Sequence, residues 1–199
     1  NGIYSGKTPE VNEPLVFTDG VGIYKSIQIR DNSGWGVYAK GDLVLNRQSQ
    51  GGDTGDAAVS SITGNGLIEE CWTIEDNRED TTTRTTERCA AGGLRARQGG
   101  IDAAYVDVSD NNGPGILAYD DINLWGVKAN RNKGPGIKSF FGSVYVNARS
   151  MLTSDEVIGN KGDGIHAGAN LDDTNDLGFT KGVGIYKSIQ VRDNSGWGV

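Results

Sequence analysis

The chain has 199 residues, enough for one domain with a real core and too few for two of ordinary size. Glycine contributes 31 residues and, with 16 Asn and 18 Asp, makes up about a third of the chain, a composition that favours turns and excludes a helix bundle or coiled coil. A formal charge of −7 without a basic stripe argues against nucleic acid as a partner, and no apolar run approaches the ~18 residues that membrane insertion needs.

From Ile3 onward a pattern recurs: a glycine turn, an apolar anchor, a variable residue, then a small one. It is met at Ile3 and Ser5, Val37 and Ala39, Leu94 and Ala96, Ile116 and Ala118, Ile137 and Ser139, and Ile165 and Ala167. Leu67, followed by Glu69, is the irregular anchor of the series. Strand side chains alternate faces, so anchor and small residue point inward while Tyr4, Tyr38, Arg95, Leu117, Lys138 and His166 point outward. A second inward pair precedes several anchors, at Ile27 and Ile29, Val106 and Val108, Val127 and Ala129, and Ile189 and Val191. Five positions before the anchor stands asparagine, at Asn32, Asn111, Asn132, Asn160 and Asn194. These asparagines are expected to accept left-handed backbone at a corner and to stack their amides as a ladder from one coil to the next.

The anchor spacings from Ile3 to Ile165 total 162 and predict six coils per unit. Ile23 is set aside as an anchor because 14 residues to Val37 make too short a circuit. The longer coils are expected to carry excursions at 47–62, 78–91 and 147–159, the last being the one stretch with short-helix character. Residues 17–37 recur at 179–199 with two changes, Asp19 to Lys181 and Ile29 to Val191. At this offset of 162, 23 of 37 aligned positions are identical. The reading is therefore one continuous segment over 1–199, with 1–162 a full repeat unit and 163–199 the start of the next. Met151 is the only methionine and no capping segment is read at either end, so the expectation is an excerpt of a longer tandem array.

Cys71 and Cys89 bracket a polar stretch and lack zinc-ligand spacing. They are either a disulfide closing that loop in an oxidising compartment or two separate buried thiols. Between them Thr81, Thr82, Thr83, Thr85 and Thr86 form a cluster suited to O-linked glycan, the alternative being a plain polar loop. Trp35 and Trp197 occupy the same place in Gly-Trp-Gly, at a corner where the ring either points outward as a contact residue or packs over its own coil. His166 is the only histidine, and its repeat partner is Tyr4, which reads as a surface position rather than a catalytic one.

The runs D-N-N-G-P-G-I, V-K-A-N-R-N-K-G-P-G-I and G-N-K-G-D-G-I resemble the right-handed parallel β-helix repeats of the pectate-lyase-like superfamily over most of the chain. The resemblance implies an all-β fold, a right-handed parallel β-helix or β-solenoid with loop excursions, in a superfamily whose members range from lyases and hydrolases to tailspikes and surface proteins. The polygalacturonase-like motifs it would imply are not intact here: Asp120 and Asp121 follow Tyr119, and His166 lies between Ile165 and Ala167. A calcium site of the lyase type would draw on Asp172, Asp173 and Asp176, whose repeat partners are Glu10, Val11 and Pro14, so these aspartates read as a solvated loop and no cofactor is expected.

The expected function is structural: a repeat segment of an extracellular filament or adhesin stalk, its partners further copies of its own unit, with lateral self-association and glycans as additional contacts. The rival expectation is a polysaccharide-acting or glycan-binding β-helix, the sole enzyme reading that the sequence supports.

Overall fold

A computed structural model describes residues 1–5, 20–23, 26–45, 59–66, 91–147, 155–168, 182–186 and 189–199. These residues form strands and turns and contain no helix. The strands fall into six successive levels. The first is β1 (Ile3–Ser5), β2 (Val21–Ile23) and β3 (Gln28–Arg30); the second is β4 (Val37–Ala39), β5 (Leu43–Leu45) and β6 (Ser60–Thr63). The third is β7 (Leu94–Ala96) with the long β8 (Ile101–Asp107), and the fourth is β9 (Ile116–Ala118) with β10 (Ile122–Lys128). The fifth is β11 (Ile137–Ser139), β12 (Val144–Asn147) and β13 (Asp155–Ile158), and the sixth is β14 (Ile165–His166), β15 (Val183–Tyr186) and β16 (Ile189–Arg192).

All pairings are parallel. The first strand of each level joins a six-stranded sheet in the order β1-β4-β7-β9-β11-β14, and the remaining strands make a ten-stranded sheet. Both sheets keep open edges. On the six-stranded sheet Ile3, Val37, Leu94, Ile116, Ile137 and Ile165 stand in one register column, as the anchor pattern predicts. The small residues Ala39, Ala96, Ala118 and Ser139 form a second buried column two positions on. Small side chains there leave room for the opposing Leu43, Ile101, Ile122 and Val144, which start the ten-stranded sheet and are almost wholly buried. Each such Leu or Ile taken out of water contributes ~1.5–3 kcal/mol, and together they form one continuous cluster.

The expected count of six coils per unit is corrected to five. Val37 pairs directly with Leu94, so no level lies between them; Leu67, read as an anchor from the sequence, lies outside the described residues. The physical reason is visible at the corner. Gly66 and Ala91 lie against one another, so the segment 67–90 begins and ends at a single point. Joined across it, Asn65-Gly66-Ala91-Gly92-Gly93-Leu94 reproduces the corner Asn111-Asn112-Gly113-Pro114-Gly115-Ile116. Gly66 thus belongs to the corner that leads into Leu94.

Of the expected excursions, two have described ends in strand, at Asp155–Ile158 and Ser60–Thr63; residues 47–58, 78–90 and 148–154 lie outside the described residues. Ile23, set aside as an anchor, belongs to β2 in the ten-stranded sheet, opposite Leu45.

Candidate functional site

The feature repeated at every level is a corner built from two residues. Asp31, Gly64, Asp110, Arg131, Gly159 and Asp193 all have φ between 53 and 69°, and each immediately precedes an asparagine. The left-handed turn thus falls on the residue before the asparagine, which corrects the expectation that the asparagine itself adopts it. Asp and Gly tolerate that conformation best; Arg131 is held there while its guanidinium grips Asp110 through two 2.7 Å contacts, which also raise its pKa.

The asparagines then form a ladder. Asn32 Nδ2 donates to Asn65 Oδ1 at 2.9 Å, Asn65 to Asn111 at 3.0 Å, Asn111 to Asn132 at 3.0 Å, Asn132 to Asn160 at 3.0 Å and Asn160 to Asn194 at 2.9 Å. Each backbone N–H of the series donates to the same oxygen, so every Oδ1 from Asn65 onward accepts two bonds. The second Nδ2 proton reaches a backbone carbonyl, as from Asn132 to Val108 O at 3.0 Å and from Asn160 to Ala129 O at 2.8 Å. All five predicted asparagines take part. The sixth member, Asn65, has no anchor five positions on because residues 67–90 intervene before Leu94; the available signal was Gly64-Asn65, which matches Gly159-Asn160.

A second device caps backbone N–H groups at the entrance to the ten-stranded sheet. Asp42 Oδ1 accepts from Gly100 N at 2.9 Å, Asp121 Oδ1 from Ser143 N at 2.7 Å and Ser143 Oγ from Gly182 N at 3.3 Å. Asp42, Asp120 and Asp121 line an open hollow on this side, but two of these carboxylates already serve the backbone. Among the described residues no group of three or more His, Cys, Asp or Glu is placed to hold a metal. Asp172, Asp173 and Asp176 lie outside the described residues, as do Cys71, Cys89, Thr81, Thr82, Thr83, Thr85 and Thr86.

The contact between repeats uses the same rules as the contacts inside one. Ile165 pairs with Ile137, Val183 with Val144 and Val191 with Val157, just as Val37 pairs with Ile3, Leu43 with Val21 and Ile62 with Ile29. At this seam Asp163 stands where the first level has Asn1. Both side chains cap a tryptophan N–H: Asn1 Oδ1 accepts from Trp35 N at 2.8 Å and Asp163 Oδ1 from Trp197 N at 2.9 Å. The other Asp163 oxygen meets His166 Nδ1 at 2.9 Å. Burial alone pushes the Asp163 carboxyl up, but the bonds from His166 and Trp197 and the charges of His166 and Lys138 prevail and hold it below its ordinary range.

The two equivalent tryptophans differ. Trp35 is 4% exposed, with Ala91 and Leu117 packed on it and the Arg95 guanidinium 5.3 Å over its ring, so it lies outside the main apolar cluster but is covered by side chains of neighbouring levels. Trp197 is 80% exposed. His166 lies on the outer face of the six-stranded sheet in line with Lys138, as expected.

The class this geometry defines is an all-β protein of parallel strands stacked level upon level, with polar ladders at its corners. Comparison of the chain with known protein families, with curated proteins and with solved structures finds no match.

Proposed function

We propose that the levels wind as a right-handed parallel β-helix of the kind seen in the pectate-lyase-like superfamily, and that the chain is a structural repeat segment of an extracellular filament or adhesin stalk. Right-handed winding is the hand that parallel strand crossovers adopt. The observation that carries the functional reading is the seam: β14, β15 and β16 pair with β11, β12 and β13 in parallel, as the earlier levels pair with one another, which supports continuation of one unit into the next. Repetition of a sequence 162 positions on suits a spacer, whose length is its product, better than an enzyme, for which one site suffices. Its partners are further copies of the unit along the rod, with lateral contacts and glycans on the outer faces.

The test is to express two, three and four tandem units and measure particle length by electron microscopy or small-angle scattering. Five levels at ~4.8 Å add about 24 Å per unit. Constant length, or compact beads joined without a shared axis, would overturn the reading.

A glycan-binding reading has one observation in its favour. Tyr4 and Tyr38 stack at 5.1 Å with Tyr4 half exposed, a flat surface of the kind on which sugar rings lie. Turnover of acidic polysaccharide by the purified chain would move the assignment to this alternative.

A further inference from the structure

Asp155 opens β13, the strand that receives β16 across the seam. Of the described ionisable residues it alone has no exposed surface. Its Oδ1 accepts the Val127 N–H at 2.7 Å, while its Oδ2 is buried without a hydrogen-bond partner. The role is understandable from the equivalent place two levels into the chain. There Ser60, also fully buried, opens β6 and accepts the Ile27 N–H at 3.2 Å. In both cases a side-chain oxygen of the strand's first residue takes the N–H of the level before. A serine hydroxyl does this while neutral. An aspartate does it with an oxygen and a charge left over, in the interior of an apolar cluster where an unpaired charge is costly.

We propose that Asp155 is a proton-operated latch on the contact between the first repeat unit and the second: neutral, it closes β16 onto β13; ionised, it loosens that contact. Among the described residues of the packed strands no cation shares the column of Asp155, which leaves the proton to neutralise it. In register with Asp155 lie Val127 on β10 and Ile189 on β16. The charged residues of the packed strands stand in other columns: Glu156 on β13 pairs outward with Lys128 of β10 at 3.5 Å, and Arg192 of β16 is engaged with Asp193. Burial raises the Asp155 carboxyl to about 6, the Val127 N–H offsetting part of that rise. Proton binding is therefore tighter with the latch closed than open, and the closed contact weakens as pH rises from about 4 to above 6. This inference stands on the paired residues 155–158 and 189–192 and does not require the filament reading.

Native-state hydrogen exchange tests it on the whole chain, comparing opening equilibria of the β13–β16 amides at pH 4.5 and 7.5 in wild type, D155S and D155N. The expected result is about twentyfold more opening at pH 7.5 in wild type, and little difference in D155S, which copies Ser60. Equal pH dependence in wild type and D155S overturns the latch. If the variants fail to fold, carbon-detected titration of the wild-type Asp155 carboxyl decides: a midpoint near 6 supports the latch, and one at the ordinary carboxylate value overturns it.

Discussion

The side-chain oxygen of Asn194 accepts two hydrogen bonds from Asn160, one from the backbone N–H and one from Nδ2, both at 2.9 Å. Asn194 belongs to the second repeat and Asn160 to the first, so the polar ladder crosses the boundary between units without a break. Along this axis each buried amide is satisfied by the asparagine of the adjacent level, so the rungs depend on one another.

Ladder substitutions should therefore grade with position. Asn111→Ala removes the acceptor of two bonds from Asn65 in a buried site and is expected to cost about 3 kcal/mol or more. Asn111→Asp should be worse at neutral pH, because it places a carboxylate oxygen against Asn132 Oδ1. Asn32→Ala, at the first rung, should cost about 1 kcal/mol. Urea unfolding of the three variants checks the order; equal losses would mean that the ladder is not a cooperative element.

Close stacking of the corners requires glycine at some positions and not at others. A Cβ on Gly115 would lie 2.6 Å from both Gly136 O and Asn132 Nδ2, while one on Gly182 would meet nothing within 4 Å. Gly115→Ala is expected to lose about 1–3 kcal/mol or more, since backbone must shift, and Gly182→Ala to stay within about 0.5 kcal/mol of wild type. Thermal melts of the pair provide the comparison.

Deleting residues 67–90 and joining Gly66 to Ala91 should preserve the stacked sheets, because the joined corner has the same spacing as Asn111 to Ile116. Retained strand circular dichroism and a cooperative melt are expected. Collapse of the melt would show that residues 67–90 are needed for the stack.

At the seam, Asp163→Asn should keep the cap on Trp197 N–H, as Asn1 caps Trp35, whereas Asp163→Ala leaves that donor without its acceptor. The alanine variant is expected to lose about 1 kcal/mol more than the asparagine variant at neutral pH. Because the folded-state carboxyl of Asp163 titrates below its ordinary range, its contribution is present at neutral pH and disappears as pH falls through that lowered value. The difference between wild type and Asp163→Asn should therefore shrink progressively as pH is lowered below the ordinary carboxylate range, which denaturation across an acid pH series would detect. Asp155 acts in the opposite sense, so the two seam carboxylates are separable by pH.

Much of this was legible in the residues alone. Period-two alternation identifies which side chains face inward, because a strand offers only two faces, and the 162-residue offset identifies the unit. The asparagines announce the corner chemistry because few side chains can both donate and accept along a stack. The second inward column, from Leu43, Ile101, Ile122 and Val144, was also present as alternating apolar pairs a few positions after each anchor, and was overlooked. Other features had no local signal. The direct pairing of Val37 with Leu94, 57 positions on, has no counterpart in the spacing of the other anchors. Asp155 looks like a surface acid until the chain closes over it. Alternation and repetition are properties of the strand itself and survive in a string of letters; stacking order, burial and proton affinity arise between levels, from residues 20 or more positions apart, and only the folded chain brings those together.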